Sequence, residues 1–368
     1  MRLYVHIPLC RKRCYYCSFA TVIGQQHKQD LLLDCLRKEI NQYPGYRLSS
    51  IYVGGGTPSF LKEKNISLLF GRLKDHFVFK NNIEITFEAN PEDMSEAKMN
   101  VLKDVGVNRI SLGLQSFNGQ ALKFLGRTHT GDDNRRTFQS LRSKGFDNIS
   151  VDLIYNWPRQ SAELLADDLK DLLALNADHI SLYMLTIEPP SRLSISGCPP
   201  LSEEQQRKHG FQAHHLLEEA GYRQYEISNY ARTGKQSQHN IGYWSGDNYV
   251  GVGPSAHSFV NCRRYWNDPL LMSYMKKITK GESPLSGEEN LSATRLFMDR
   301  LLFGLRLTAG VSISQLENKY DVKISQGQRD KIDLYVQEGL FVRDGEFLRT
   351  TLSGRMVLDE ISVNLIDR

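Results

Sequence analysis

Short β-branched runs alternate with helical stretches along the first 230 residues, and this alternation constrains the fold more than any other feature of the chain. The runs predicted as strands are 3–7, 50–53, 83–87, 110–114, 149–154 and 179–185. The stretches predicted as helices are 30–43, 61–74, 94–103, 118–125, 131–143, 161–175 and 203–220. Such a succession favours a parallel sheet covered by helices. We therefore expect an α/β protein, either an open doubly wound sheet or a full or partial barrel, with reactive groups at the carboxyl ends of the strands.

The last third of the chain has a different pattern. Residues 231–270 are rich in Gly, Asn, Ser and aromatic residues and are expected to be loops packed onto the first domain. Helices are predicted at 291–306, 313–319 and 326–338, followed by strands at 340–343 and 346–350. The dipeptide Asp344-Gly345 between these strands is a strong hairpin signal. The predicted domains are therefore a core at 1–230, a linking segment at 231–290, and a small helical, winged-helix-like module at 291–368.

The charges of the predicted hairpin are mixed, since Arg343 and Arg349 accompany Asp344 and Glu346. A packing or lid role for the module is therefore favoured over nucleic-acid binding. The whole chain points the same way, because a net charge of +4 over 368 residues is too weak to indicate a nucleic-acid partner.

Composition places the chain among ordinary globular proteins, with 40% hydrophobic and 24% charged residues. No apolar run is long enough to cross a membrane, and the N-terminal segment lacks the features of a signal peptide. We expect a cytoplasmic protein. Six cysteines in a chain of this length do not make a disulfide scaffold. Cys35 is predicted to be buried in a helix, and Cys198 and Cys262 to be free thiols in loops.

The remaining cysteines, Cys10, Cys14 and Cys17, follow the first predicted strand with the spacing C-x3-C-x2-C. This loop supplies three thiolates, whereas a structural zinc site or a closed iron–sulfur centre takes four protein ligands. Three ligands on a [4Fe–4S] cluster leave one iron open to a further ligand. The alternatives are ordinary thiols, or a zinc site completed by His6 or His27. A cluster is favoured, because aromatic neighbours (Tyr15, Tyr16, Phe19) suit a dry site and basic ones (Arg11, Lys12, Arg13) offset its negative charge.

This cysteine loop, placed after the first strand of a β/α series, resembles the signature of the radical S-adenosylmethionine (SAM) proteins. The resemblance implies that SAM binds the open iron through its amino and carboxylate groups. It also implies that an electron from the cluster cleaves SAM to a 5′-deoxyadenosyl radical. The fold of that family is a full or partial parallel β/α barrel, which agrees with the alternation described above. Residues 1–230 would then be the radical SAM core.

The same resemblance implies a set of SAM-binding residues. The run G-G-G-T-P-S after the second strand would meet the amino-acid end of SAM through Gly55, Gly56 and Thr57. Carboxylates, an amide and a guanidinium at or after successive strand ends would bind the ribose hydroxyls and the carboxylate of SAM. These residues are Glu88, Gln115, Arg127 and Asp152. Tyr4 aligns with a tyrosine near the cofactor. Singly, each has a simpler explanation as a salt bridge, a helix cap or a turn.

The motifs Y-V-H-I-P, G-G-G-T-P-S, E-A-N-P, G-V-N-R-I-S-L-G-L-Q-S-F, L-G-R-T-H and D-L-I-Y narrow the resemblance. They resemble the group that contains oxygen-independent coproporphyrinogen III oxidase and a related branch of heme chaperones. The oxidase has a fourth cysteine two residues after the third, where this chain has Phe19. The oxidase also has an N-terminal extension before the first strand, whereas this sequence starts directly at the first predicted strand. Both differences count against decarboxylation of coproporphyrinogen, which stays the alternative; whether the chain is an enzyme is left open.

The run H-N-I-G-Y-W matches the HNxxYW motif of the heme-chaperone branch. By this resemblance His239 would ligate heme iron, and Tyr243 and Trp244 would offer flat faces to the macrocycle. The alternative is a structural role, with His239 and Asn240 at a turn and the two aromatic residues filling the interface between two domains. His257 is either a second ligand or structural. Arg263 and Arg264 are candidates to pair with the propionates. The implied partners are heme, acceptor hemoproteins and an electron donor for the cluster. Any membrane contact would be peripheral, through an acceptor.

Overall fold

The computed structural model describes residues 1–366, and within them the main sheet has twelve strands. In chain order these are β1 Arg2–Ile7, β2 Arg47–Gly55, β3 Val78–Ala89, β4 Arg109–Gln115, β5 Ile149–Tyr155, β6 His179–Met184, β7 Arg223–Gln224, β8 Asn229–Ala231, β9 Tyr249–Val252, β10 His257–Val260, β11 Arg263–Asn267 and β12 Leu285–Asn290. All six strands predicted in the first 230 residues are confirmed, and several extend beyond their predicted ends.

The strand order is β12-β11-β10-β9-β1-β2-β3-β4-β5-β6-β8-β7. The strands from β9 to β6 in this order are parallel, and the flanking strands are antiparallel. From β1 to β6 the order follows the chain without the reversal that defines a doubly wound sheet. The described sheet has a free edge at β12 and another at β7, so it is an open, barrel-type β/α sheet. Of the two expected folds, the partial barrel is confirmed.

Helices connect the parallel strands as the periodicity predicts, each within one helical turn of its predicted bounds. They are Gln29–Ile40, Glu63–His76, Glu96–Asp104, Gly119–Leu125, Gly131–Ser143, Ala162–Ala174 and Glu203–Glu219, with a further short helix at Arg192–Ile195. Because helices and loops cover the faces of the sheet, its central strands are buried; every residue of β4 is buried, including the polar Arg109, Ser111 and Gln115. The main core therefore lies between the parallel strands and these helices.

The expectation of loops at 231–270 is wrong. This segment contains the helix Gln238–Ser245 and the strands β9, β10 and β11. The helix begins at Ser237, whose side chain accepts a hydrogen bond from the Asn240 amide, and ends at Gly246 in the left-handed conformation. Strand β9 has only four residues and pairs with β1, which lies far away in the sequence. Its formation depends on that tertiary partner, so local composition does not indicate it.

The linking segment also contributes the helix Leu271–Thr279 and strand β12, so the sheet continues past the predicted boundary at residue 230. The division of the chain into three domains stays a prediction. No helix within residues 1–366 combines the length and apolar character needed to cross a membrane.

The C-terminal part has its own core, built around Phe297, Leu301 and Phe341. Its helices are Ala293–Gly304, Ile313–Tyr320, Gln326–Gln337, Leu352–Met356 and Leu358–Leu365, and its small sheet contains Val311–Ser312, Phe341–Asp344 and Phe347–Thr350. The predicted hairpin is confirmed, and helices preceding a small sheet agree with a winged-helix-like module. Arg343 forms an ion pair with Asp333 at 2.6 Å, and Arg349 forms one with Asp344 at 2.9 Å. Both basic side chains of the hairpin are therefore already paired with carboxylates of the same chain.

Candidate functional site

The cysteine loop leaves the carboxyl end of β1 and is closed by a short parallel ribbon, Leu9–Cys10 with Val22–Ile23. Cys10 is buried, whereas Cys14 and Cys17 are half-buried. All three thiols line a cavity of about 420 Å³, together with residues from the ends of the five following strands. The residues predicted to bind SAM that line this cavity are Gly55, Gly56, Thr57, Glu88, Gln115, Arg127 and Asp152. The strand ends of the parallel sheet therefore converge on the cysteine loop.

The surroundings of the cysteines fit metal-bound thiolates. The Thr57 hydroxyl lies 3.4 Å from Cys10 Sγ, and Arg127 Nη1 lies 3.3 Å from Cys14 Sγ, both as donors. Such donors stabilise negative sulfur. A Cβ atom at Gly56 would lie 2.9 Å from Cys10 Sγ, so only glycine allows this approach of the backbone. Burial raises the pKa of Cys10 to about 11, and metal binding would therefore have to displace its proton.

The positions of His6 and His27 give little support to a zinc site completed by either histidine. His6 Nδ1 lies 2.9 Å from the Tyr4 hydroxyl, and its Nε2 lies 3.4 Å from the Ala20 carbonyl oxygen. His27 is exposed on the short helix Gln26–Lys28 and does not line the cavity. Among residues 1–366, no three His, Cys, Asp or Glu side chains are placed to hold a single metal ion.

The glycine loop presents bare backbone beside the cysteines. Gly55 has a φ of +114°, and its N–H donates to Glu88 Oε2 at 3.0 Å. A Cβ atom at this position would lie 2.7 Å from the His6 ring. Glycine is therefore required here both for conformation and for space.

Two carboxyl groups face the cavity with raised pKa values. Glu88 accepts from the Tyr52 hydroxyl at 2.7 Å, and burial raises its pKa to about 7. Asp152 accepts from the Ser111 hydroxyl at 3.3 Å, and burial raises its pKa to about 6. A raised pKa leaves part of each carboxyl group protonated near neutral pH, so its capacity to accept hydrogen bonds from ligand hydroxyls increases as the pH rises.

Gln115 reaches the cavity through a local break in β4. The register against β5 shifts between Gly113 and Gln115, and Gln115 has a φ of +67°. The turn that follows is held by Asp168, whose carboxylate accepts from the Ser116 hydroxyl at 2.6 Å and from the Phe117 amide at 2.7 Å. This bulge aims the end of the strand at the site.

Arg127 connects the cysteine loop to the strand ends. Besides Cys14, its guanidinium donates through Nη2 to Asn90 Oδ1 at 2.7 Å and to the Gly113 carbonyl at 3.2 Å. Its Nε is buried and has no hydrogen-bond partner among the described residues. Nη2 also lies 3.7 Å from Glu92 Oε2, so one carboxylate already neighbours this guanidinium, and Nε is the donor that still lacks an acceptor. Asn90 is a site residue that sequence reasoning missed, although the E-A-N-P motif at the end of β3 was the signal for it.

Tyr4 does not line this cavity. It lines a second cavity of about 410 Å³, together with Tyr243 and Trp244 of the H-N-I-G-Y-W motif. Phe19, which is 68% exposed, lines both cavities. The residue that replaces the fourth cysteine of the oxidase therefore lies where the two cavities meet.

His239, expected to ligate heme, lines neither cavity. Its ring is fully buried, with Nδ1 2.9 Å from the Ser50 hydroxyl and Nε2 3.0 Å from the Tyr243 hydroxyl. Burial lowers its pKa to about 3. Since both nitrogens have protein partners, this histidine positions Tyr243 in the observed arrangement and has no nitrogen free for iron.

The arginines expected to pair with propionates also have partners already. Arg263 pairs with Glu288, and Arg264 contacts Glu289 at 2.7 Å and Asp299 at 2.6 Å. His257, by contrast, lines the second cavity. Cys35 is buried as expected, and Cys35, Cys198 and Cys262 are free thiols within the described residues.

Comparison with known proteins agrees with this site. The family model of the Radical SAM superfamily matches residues 4–172, and that of the HemN C-terminal domain matches residues 291–357. A solved structure of coproporphyrinogen III oxidase (HemN) from Escherichia coli, described as a radical SAM enzyme, superposes with a TM-score of 0.87 at 25% identity, covering 99% of this chain and 89% of that one. The fold and the three-cysteine site thus define a radical SAM protein.

Similarity to curated relatives identifies the family to which this radical SAM protein belongs. The heme chaperone HemW of Lactococcus lactis is 33% identical over 95% of this chain and 93% of its own length. HemW of Bacillus subtilis is 31% identical over 97% of each chain. A mitochondrial radical S-adenosyl methionine domain-containing protein 1 from Danio rerio is 32% identical over 98% of this chain and 85% of its own. The chain belongs to the HemW family.

Proposed function

We propose that this protein is a heme chaperone, which binds heme and delivers it to acceptor hemoproteins. The observation that carries the proposal is the likeness, over nearly the whole chain, to several relatives named as heme chaperones. Phe19 supports it, because it stands where the oxidase has its fourth cysteine. An electron donor for the cluster is a further proposed partner. The proposed location is the cytoplasm, with any membrane contact made through an acceptor.

Membership of the radical SAM superfamily implies a [4Fe–4S] cluster and SAM. Cys10, Cys14 and Cys17 would hold the cluster, which supplies one-electron chemistry to SAM when both are bound. Arg127 would hold the carboxylate of SAM, and the bare backbone of Gly55 and Gly56 would admit its amino-acid end. Glu88 and Asp152 would accept hydrogen bonds from ribose hydroxyls. Tyr4 has no part in this set, because it lies on the second cavity.

The affinity for SAM is expected to rise with pH between 6 and 8. Burial raises the pKa of Glu88 to about 7, and the ionised carboxylate is the form that accepts two hydroxyl hydrogen bonds. Ionisation grows from about one tenth to about nine tenths across this range, so we expect an affinity gain of about five- to tenfold. Calorimetric titration of the anaerobic, cluster-loaded protein measures it.

The matched control is Glu88→Gln, whose amide does not titrate. This variant should bind SAM more weakly, and the dependence of its affinity on pH should be smaller. A slope equal to that of the wild type would assign the titration to another group, such as Asp152.

The second candidate function is oxidative decarboxylation of coproporphyrinogen III, favoured by the superposition on HemN. One experiment separates the two. The cluster is reconstituted without oxygen, and the protein is given hemin in one sample and coproporphyrinogen III with SAM and a reductant in another. We expect a heme absorption band in the first sample and no protoporphyrinogen in the second. Robust formation of protoporphyrinogen would contradict the chaperone proposal.

Transfer is measured directly with an apo-hemoprotein acceptor. Heme-loaded protein is mixed with excess acceptor, and the absorption band of the reconstituted acceptor is followed with time. A control with free hemin at the same concentration separates delivery from passive uptake. Failure of the loaded protein to reconstitute any acceptor would limit the function to heme binding.

A further inference from the structure

The second cavity lies between the main sheet and the C-terminal module, and the cluster and SAM do not account for it. Its walls come from β1, β9 and β10, from the end of the helix Gln238–Ser245, and from the helix Ala293–Gly304. Aromatic rings dominate these walls: Tyr243, Trp244, Tyr249, Phe259 and Phe303. Such rings offer flat, apolar surfaces to a flat, apolar ligand.

One imidazole of this cavity is free to act as a ligand. His257 begins β10, is exposed, and stacks on Trp266 with ring centroids 5.7 Å apart and an interplanar angle of 23°. Neither of its ring nitrogens has a hydrogen-bond partner within residues 1–366. Stacking on Trp266 fixes the plane of the ring while leaving the nitrogens open. His239 is the reverse case, with a buried ring and two engaged nitrogens.

One cation of the cavity is also uncompensated. Arg300 lies over the Phe259 ring at 5.0 Å, and no carboxylate within the described residues pairs with it. Arg264, which lines the same cavity, is bound by Glu289 and by Asp299. The Arg300 guanidinium packs against Gly246 so closely that any Cβ there would overlap it. The Arg300 guanidinium can therefore occupy this position only because Gly246, at the end of the helix Gln238–Ser245, has no side chain.

A further donor of the wall lacks an acceptor. The Trp244 indole N–H is buried, and it has no hydrogen-bond partner among the described residues. A flat apolar surface, an open imidazole and an unpaired guanidinium on one cavity match a planar metal macrocycle that carries carboxylates.

We propose that heme binds in this second cavity, with His257 ligating the iron and Arg300 pairing with a propionate. The proposal rests on the chaperone function proposed above and names the site of the cargo. His239 then acts as a positioning residue, since it holds Tyr243 at the wall. Phe19 borders both cavities, so heme bound here lies next to the cluster site.

The test is a hemin titration of the full-length, cluster-loaded protein without oxygen, followed by absorption and resonance Raman spectroscopy. His257→Ala is expected to weaken hemin binding about tenfold or more and to remove the spectroscopic signature of histidine ligation. Added imidazole should restore that signature. The matched control is His215→Ala, an exposed histidine on the helix Glu203–Glu219, which should bind hemin as the wild type does.

Arg300 is tested with a modified ligand. Arg300→Met should weaken hemin binding about tenfold with no change in the position of the absorption band. The same variant should bind heme dimethyl ester as well as the wild type does, because the ester lacks the carboxylate. An equal loss for both ligands would overturn the propionate contact.

The outcomes distinguish the site from the function. If His257→Ala keeps the histidine signature and His239→Ala loses it, the ligand is His239 and this proposal is wrong, while the chaperone function stands. If the wild-type protein binds no hemin, the proposed function fails, and the site fails with it.

Discussion

Replacing Cys14 with alanine is expected to abolish the iron–sulfur absorbance of the reconstituted protein and to remove nearly all of its bound iron. By the proposed assignment three thiolates would hold the cluster, and no fourth cysteine lines the cavity within the described residues. Two remaining ligands would leave two iron atoms without protein bonds. The loss also frees Arg127, which donates to Cys14 Sγ at 3.3 Å. Iron and sulfide analysis with visible absorption spectroscopy measures the effect.

The matched control is Cys198→Ala, which removes a free thiol that does not line the cluster cavity. It should retain the iron content of the wild type. Full iron content in Cys14→Ala would mean that the cluster ligands are misassigned. Circular dichroism of the apo forms shows whether a variant has lost iron because it has lost its fold.

Much of the core could be predicted from the sequence because its signals are local and repeated. The buried strands have apolar runs, the helices between them have apolar residues at helical spacing, and both follow from periodicity. The convergence of Gly55, Glu88 and Asp152 also follows, since parallel strands bring their carboxyl ends to one edge. The cysteine loop could be predicted from the spacing of its cysteines and from its place after β1 alone.

The rest depends on contacts between distant parts of the chain. Strand β9 forms because it pairs with β1, and the composition of residues 231–270 does not indicate that pairing. The sequence of the same segment also does not show which of its two histidines has ring nitrogens available to a ligand. His239 and His257 are equally good ligands by residue type, but Ser50 and Tyr243 engage the former. Only tertiary structure reveals that Arg264 is paired with carboxylates and Arg300 is not.

Phe19 borders both cavities, and its place there suggests a physical consequence of having no cysteine at this position. A cysteine side chain there would add a thiol beside the cluster, whereas Phe19 places an exposed apolar ring between the cluster cavity and the aromatic second cavity. The substitution thus removes one polar, reactive group and extends an apolar surface. That change supports the proposed chaperone function, in which a flat ligand would lie next to the cluster.

Gly55→Ala is expected to destabilise the protein by about 2–4 kcal/mol and to abolish measurable SAM binding. The φ of +114° at this residue is strained for any side chain, and a Cβ atom would lie 2.7 Å from the His6 ring. His6 is buried and linked to Tyr4, so it has little room to move. Displacing the loop also breaks the Gly55 N–H contact that orients the Glu88 carboxylate. Urea denaturation and calorimetric SAM titration measure the two effects.

The control is Gly71→Ala, in the exposed middle of the helix Glu63–His76, where a Cβ atom would meet no atom within 4 Å. Because alanine is the better helix former, this variant should gain about 0.5–1 kcal/mol and bind SAM normally. The same chemical change is thus expected to act in opposite directions at the two glycines. A Gly55→Ala protein as stable as the wild type would show that the loop relaxes away from His6, and the close approach of backbone to ligand would then need another explanation.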